Sequence, residues 1–165
     1  MRAIVLSIAI ILVSGPSLAV FGVNPGDSCD AVITVEAKRG SAFVGSFPGP
    51  DEGASPQLVF EGLLFGAAAL HYYTCEAGSI RSQMVTFDRQ AREAARVTFQ
   101  TVERELTADL GPPNKDLGEA ERLQTSELFD ERVERFLIWD LSGRLVTLSW
   151  IGSDAPGWEV LVTGP

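Results

Sequence analysis

The two cysteines, Cys29 and Cys75, constrain the fold of this chain more than any other feature of its sequence. They allow a single intrachain disulfide, and their separation of 46 positions is far too long for a CxxC redox motif. A bond that closes so long a loop stabilises a fold by roughly 4 kcal/mol in the chain-entropy description. Disulfides persist in oxidising compartments and are rare in the cytosol, so this bond is expected only if the chain is exported.

The N-terminus predicts export. Met1 and Arg2 form a short positive segment, residues 3–13 are predominantly apolar, and Ser17 and Ala19 provide small residues where signal peptidase cleaves. As a helix, the apolar run rises only ~16 Å, about half of the ~30 Å hydrocarbon core of a membrane. We therefore predict a signal peptide at residues 1–19, with an uncleaved anchor as the alternative.

Export makes a structural disulfide between Cys29 and Cys75 the expected state of the two thiols. The residue after the predicted cleavage site is Val20, so the lipid-modified cysteine of a bacterial lipoprotein is absent there. The sequence also contains no N-x-S/T acceptor for N-glycosylation. We predict a periplasmic or secreted bacterial protein without a stable membrane span after cleavage.

The composition excludes several classes of function. A formal net charge of −9 and a pI near 4.5 argue against a nucleic-acid-binding protein, which needs a basic surface. Two cysteines and one histidine cannot provide the four ligands of a structural zinc site. The hydrophobic share of 45% is typical of a globular chain, and we predict a single domain at residues 20–165.

The spacing of apolar residues predicts two helices. The first runs from an N-cap at Asp27 to a terminating glycine at Gly40, although a strand competes with it in this short segment. The second is capped by Asp88 and stopped at Gly111. Its apolar face consists of Ala91, Ala94, Ala95, Thr98, Phe99, Val102 and Leu106.

Alternation and turn residues predict the strands. They are expected at residues 42–47, 58–75, 80–87, 133–140, 144–151 and 158–163. Gly62 and Gly66 are expected to bend the longest of them. The polar residues 114–130 are expected to hold a helical turn.

This order of elements predicts an α+β fold, with two helices each followed by antiparallel strands and the helices packed on the antiparallel sheet. The two halves, about residues 27–87 and 88–165, share the order and suggest a pseudo-repeat, although no residue-level repeat is visible. In architecture the chain resembles small exported inhibitor and assembly-factor domains, such as β-lactamase inhibitory protein and the small lipoproteins of outer-membrane assembly. The resemblance implies a helix packed on an antiparallel sheet and carries no site residues.

Motifs of several catalytic classes are absent: there is no G-x-S-x-G elbow, H-E-x-x-H, phosphate loop or EF-hand loop. His71 lies in a predicted strand, where a buried histidine with a hydrogen-bond partner is the simpler interpretation and a general base is the alternative. We therefore expect no enzyme, no cofactor and no metal. A calcium site remains the alternative to a solvated face for a set of carboxylates that share one face if helical, namely Glu127, Asp130, Glu131 and Glu134.

Two sets of residues are candidates for binding. Arg89, Arg92 and Arg96 lie at the start of the second helix and its acidic residues at the end, the reverse of what the helix dipole favours. Either ion pairs with the acidic residues 127–134 compensate, or the arginines form a site for an anion or a partner.

The second set consists of the tryptophans of the C-terminal strands, Trp139, Trp150 and Trp158. They are core residues if buried and a binding platform if they line an exposed face. Within residues 136–139 both faces of the strand are apolar, so one face is expected under a helix and the other in contact with a partner.

These features favour an exported, non-enzymatic domain that binds an exported or cell-envelope protein as an inhibitory or assembly module. One alternative is a carrier of a small apolar or anionic ligand, with a pocket lined by Tyr72, Tyr73 and the tryptophans. The other is a hydrolase built on two facing carboxylates.

Overall fold

The computed structural model describes residues 22–48, 55–118, 132–142, 144–152 and 158–164. The predicted signal peptide and its cleavage site lie outside these residues. Two helices and eight strands are formed within them: α1 (Cys29–Arg39), β1 (Ala42–Phe47), β2 (Gln57–Leu64), β3 (Ala67–Glu76), β4 (Ser79–Gln90), α2 (Arg92–Leu110), β5 (Lys115–Leu117), β6 (Arg132–Asp140), β7 (Leu145–Gly152) and β8 (Trp158–Gly164).

The strands form one antiparallel sheet in the order β1-β2-β3-β4-β8-β7-β6-β5. All but one of the pairings join strands that are consecutive along the chain. The exception is the pairing of β4 with β8, which crosses the middle of the sheet. The predicted α+β class with an antiparallel sheet is confirmed.

The predicted disulfide is confirmed. Cys29, the first residue of α1, is bonded to Cys75 near the end of β3, with the two Cα atoms 6.2 Å apart. Backbone hydrogen bonds join the same regions: the amide of Cys29 donates to the carbonyl of Gly78, and the amide of Ile80 donates to the carbonyl of Asp27. The start of α1 is therefore fastened to the β3–β4 hairpin by covalent and backbone links together.

The N-cap of α1 differs from the predicted one. Ser28 is the cap, and its hydroxyl accepts a hydrogen bond from an amide of the first turn. The carboxylate of Asp27 accepts from the amide of Asn24 instead, at 2.8 Å, so Asp27 stabilises the preceding turn. The predicted terminator is correct, because Gly40 ends the helix in the left-handed conformation with φ 80°.

The predicted cap of α2 at Asp88 is also wrong. Asp88 lies in β4, which continues to Gln90 because Gln90 still pairs with Trp158 of β8. The actual N-cap is Ala91, which makes no side-chain hydrogen bond. Cross-strand pairing thus outweighs the capping tendency of an aspartate. At its other end α2 stops before Gly111, as predicted.

The predicted strand at residues 58–75 is in fact a hairpin of β2 and β3. Phe65 and Gly66 form its turn with positive φ angles of 53° and 82°, so the chain reverses where a bend at Gly66 was expected. Gly62 does not bend the strand. A Cβ atom at Gly62 would lie 2.4 Å from the hydroxyl oxygen of Ser41, so the glycine permits a close approach.

The polar residues 114–130 do not begin with the predicted helical turn. Lys115–Leu117 forms the short edge strand β5, in which Lys115 pairs with Ile138 and Leu117 with Phe136. The remainder of this stretch, from residue 119, lies outside the described residues.

Both helices pack on the same face of the sheet. One row of opposed side chains on that face consists of Ala69, Phe87, Val160 and Trp150. The ring of Phe99 in α2 lies 6.1 Å from that of Trp150, measured between centroids. Tyr73, which shares its face of β3 with Ala69, is hydrogen-bonded to Glu36 of α1. The core therefore fills the space between this face and the two helices.

Candidate functional site

The sheet face that points away from both described helices is only half-buried. Its residues alternate along the strands with the core positions. One row of opposed residues consists of Tyr72, Met84, Thr163, Thr147 and Ile138, and the next contains Leu70, Thr86, Ser149 and Phe136. All of these except Ser149 keep partial exposure, whereas Val59 of β2, which is opposite Tyr72 on the same face, is buried. We call these residues the open face.

The open face is neutral and largely apolar. Charged residues occur only at the ends of its rows, where Lys115 is opposite Ile138 and Glu61 is opposite Leu70. The hydroxyls of Thr147 and Thr163 hydrogen-bond to one another at 2.5 Å, so they satisfy each other without a partner. Aromatic side chains and methionine are enriched in protein interfaces, and charged residues are depleted at their centres. The open face has this composition.

The sequence contains a partial signal for this face. Phe136 and Ile138 alternate with Leu137 and Trp139, and all four are apolar. In the structure Leu137 and Trp139 are buried beneath the helix layer, whereas Phe136 and Ile138 belong to the open face. The open face extends across β3, β4 and β8 because of the order of the strands in the sheet. The periodicity of apolar residues in the sequence does not predict that order.

A buried polar cluster lies between α1 and β3. Glu36 is fully buried, and its Oε1 accepts hydrogen bonds from the Tyr73 hydroxyl and, at 2.8 Å, from Arg39. The same oxygen lies 3.3 Å from Nδ1 of His71, which is also fully buried. Glu36 was not singled out from the sequence, and Tyr73 was named only as a candidate pocket residue. The available signal was a carboxylate on the buried stripe of α1, four residues after Val32.

The ionisation of this cluster is set by its hydrogen bonds. Burial raises the pKa of Glu36, but its polar neighbours His71, Ser41 and Tyr73 outweigh burial and lower the pKa from 4.5 to about 2. Burial and the bond to Glu36 raise the pKa of Tyr73, so its phenol stays protonated and donates. Because Glu36 is completely buried, its carboxylate serves to hold α1 on the sheet and is not accessible to a substrate.

The candidate arginines Arg92 and Arg96 bind carboxylates of this chain. Arg92 donates to Glu134 of β6 at 2.9 Å, and Arg96 binds Glu93 within α2. Arg89 lies in β4, before the helix begins. Glu134 belongs to the acidic stretch that was expected to compensate these charges. A site for an anion or a partner at the three arginines stays a prediction.

One of the acidic residues in the second half of α2, Glu103, is paired with the next residue of β6. Arg135 binds Glu103 of α2 at 2.9 Å and Asp116 of β5 at 2.8 Å, and its guanidinium lies 5.5 Å from the centroid of the Phe99 ring. The hydrogen bond to Asp116 and the two carboxylates raise the pKa of Arg135 despite its partial burial. Adjacent residues of opposite charge in β6, Glu134 and Arg135, thus match the reversed charges of α2.

The tryptophans do not form a common exposed surface. Trp139 and Trp150 are core residues, 1% and 8% exposed, and the indole N–H of Trp139 donates to the carbonyl of Gly111 at 2.9 Å. Trp158 is the first residue of β8, and its backbone pairs with Gly152. Its side chain is not among the described parts of the structure. Two of the three candidate aromatics are therefore part of the core that supports the open face.

The residues of the remaining candidate sites are separated or lie outside the described chain. Tyr72 is on the open face, whereas Tyr73 is buried beneath α1, so they do not line one pocket. Glu134 lies in a strand, where helical spacing does not apply. The other members of the candidate calcium set, Glu127, Asp130 and Glu131, lie outside the described residues.

Comparisons with protein families, with curated proteins and with solved structures give no match. Among the described residues, no helix combines the length and the apolar character needed to cross a membrane.

Proposed function

We propose that the protein is an exported, non-enzymatic module that binds another exported or cell-envelope protein, as an inhibitor or assembly factor, through the open face. The observation that carries the proposal is the composition of this face: Tyr72, Met84, Phe136 and Ile138 are half-exposed, and the charged residues of their two rows lie only at the ends. Large side chains of this kind provide most of the binding energy in protein interfaces. The rigid sheet beneath them keeps the entropy cost of binding low.

The charge of the chain indicates the character of the partner. The formal net charge is −9, while the open face itself is neutral. A partner with an apolar contact surface surrounded by basic residues would be attracted over a distance and held by apolar contact. Binding should therefore slow at high salt, chiefly through the association rate.

The proposed function includes export of the protein from the cytoplasm. The disulfide between Cys29 and Cys75 supports a periplasmic or secreted location. Removal of the signal peptide at residues 1–19 would leave a chain that begins at Val20. Intact-mass measurement of the exported protein should find this chain with two hydrogens fewer than its reduced form, and a chain that retains Met1 or two free thiols would contradict export.

We also propose that the domain consists of two related halves, about residues 27–87 and 88–165, each a helix followed by four antiparallel strands. Strand order supports this division, because β1-β2-β3-β4 runs inward from one edge and β5-β6-β7-β8 from the other. In this arrangement the open face spans both halves, with Tyr72 and Met84 from the first and Ile138 and Phe136 from the second.

Truncation of the open face tests the binding function. Tyr72→Ala and Ile138→Ala should each weaken capture of a partner from a periplasmic extract by on the order of tenfold, as expected for central interface residues. Val97→Ala is the matched control, because Val97 is 52% exposed on α2, on the other side of the sheet. Far-UV circular dichroism should show all three variants folded.

The proposal requires that one partner, identified by mass spectrometry, be lost with both open-face variants and retained with the control. Equal capture by all the proteins would refute a role for the open face. Loss with Val97→Ala alone would place the binding surface on the helices.

A further inference from the structure

β1 is an uncharged strand at an exposed edge of the sheet. Among the described strands it pairs with β2 alone, and its sequence, AFVGSF, contains neither a charged residue nor a proline. Its large side chains, Phe43, Val44 and Phe47, are 46–58% exposed. The backbone groups on its outer side therefore border a surface that is apolar.

The other edge of the same sheet is different. β5 is only three residues long and carries Lys115 and Asp116. Short edge strands and charged side chains are the usual means by which proteins prevent a further strand from pairing. β1 has a bulge between Phe43 and Gly45, but it lacks charge and is twice as long as β5.

Exposed apolar side chains are concentrated at the β1 edge. Ile33 of α1, a helix that packs on β1 and β2, is 54% exposed, and Leu63 of β2 is 69% exposed. Together with the three side chains of β1, these make up most of the large exposed apolar residues in the described chain, of which the others are Val97 and Leu145. Scattered exposed apolar residues are ordinary, whereas several of them at one edge of a sheet are typical of an interaction surface.

We propose that β1 pairs in antiparallel fashion with β1 of a second copy of this chain. A chain with a net charge of −9 repels its own copies, so close contact is favoured where the surface is neutral, as it is along β1. Two identical strands in antiparallel pairing are related by a two-fold axis, which closes the assembly. Because β5, the other edge of the described sheet, is short and charged, it disfavours pairing with a further strand, and the product is a dimer.

This dimer would present the proposed binding surface twice. The two-fold axis that relates antiparallel edge strands is perpendicular to the sheet, so both open faces would lie on the same side. The dimer itself does not depend on the proposed function, because β1 lies outside the open face.

Analytical ultracentrifugation over about two orders of magnitude in concentration tests the dimer. The oxidised protein should change from monomer to dimer as concentration rises, and added salt should strengthen the dimer by screening repulsion between acidic copies. Val44→Lys, which places a charge on the edge, should raise the dimer dissociation constant on the order of tenfold or more. Val97→Lys, at an equally exposed position on α2, should leave it unchanged.

Hydrogen exchange of the unaltered protein provides a second test that does not rely on a variant. The amides of β1 that do not bond to β2 should gain protection as concentration rises, while those of β5 should not. A protein that stays monomeric at every concentration would overturn the proposal. So would a dimer that Val44→Lys leaves intact, because its contact would lie elsewhere.

Discussion

Glu36 holds α1 on the sheet, although its residue type alone does not indicate a buried structural role. A buried carboxylate is costly unless hydrogen bonds and opposite charge replace the lost water. Here Tyr73, Arg39 and His71 all approach the same oxygen, and they come from α1 itself and from β3. The sequence places Glu36 on the buried stripe of α1. It cannot show that Tyr73 lies opposite, because that contact spans 37 positions.

Replacement of Glu36 by Gln should lower the free energy of unfolding by about 2–3 kcal/mol. The amide keeps the shape of the side chain but weakens charge-assisted bonds from Tyr73 and Arg39, which leaves these donors poorly satisfied in the core. Urea denaturation at neutral pH measures the change. Glu93→Gln is the control, since Glu93 is exposed and paired only with Arg96 on its own helix, and it should have little effect.

The pH dependence of stability should report the ionisation of Glu36. Its pKa is lowered from 4.5 to about 2 in the folded state, so its stabilisation is complete above pH 4.5 and is lost as pH falls towards 2. The difference corresponds to about 3 kcal/mol. The gap in unfolding free energy between the native protein and Glu36→Gln should therefore narrow between pH 4.5 and pH 2. A gap that stays constant across this range would contradict the ionised, buried carboxylate.

The helices differ in what holds them to the sheet. α1 is short and buries only Val32 and Glu36. It is held to the sheet by the disulfide, by the backbone hydrogen bonds near Gly78 and by the contacts of Glu36. α2 is longer and buries Ala95, Phe99, Val102 and Leu106 against the middle of the sheet. Apolar periodicity predicted both helices and their C-terminal glycines. It misplaced both N-caps, because pairing of the preceding segments with strands determines where each helix begins.

Loss of the disulfide should loosen α1 and β1 before the rest of the protein. A helix of this length is marginal on its own, and β1 is an edge strand, whereas α2 covers the central strands. In Cys29→Ala with Cys75→Ala, hydrogen exchange should show early loss of protection at residues 27–47, while residues 95–106 stay protected. Uniform loss in both segments would mean that they open as one unit.

At the scale of the whole molecule, local signals account for the hairpins but not for the assembly of the sheet. The turn at Ala77–Gly78 and the reversal between Asp140 and Leu145 were predicted from breaks between alternating segments. The pairing of β4 with β8 joins residues that are 68 to 81 positions apart in the sequence, and no local pattern specifies it. This one pairing decides which residues share a face. The open face and the neutral edge at β1 could therefore be recognised only once strand order was known.

The same pairing should make the domain unfold as a single unit. Val162 is completely buried in β8, between Val85 of β4 and Leu148 of β7, so it touches both sides of the central junction. Val162→Ala should cost about 2 kcal/mol through loss of apolar contact and an unfilled space. Tryptophan fluorescence, which reports on the strands after α2, and pulsed hydrogen exchange of β2 and β3 should then shift to the same lower urea midpoint. Val97→Ala, at an exposed position on α2, should leave both midpoints in place. If fluorescence shifted while β2 and β3 kept the native midpoint, the two sides of the β4–β8 junction would be independent folding units, each stable without the other.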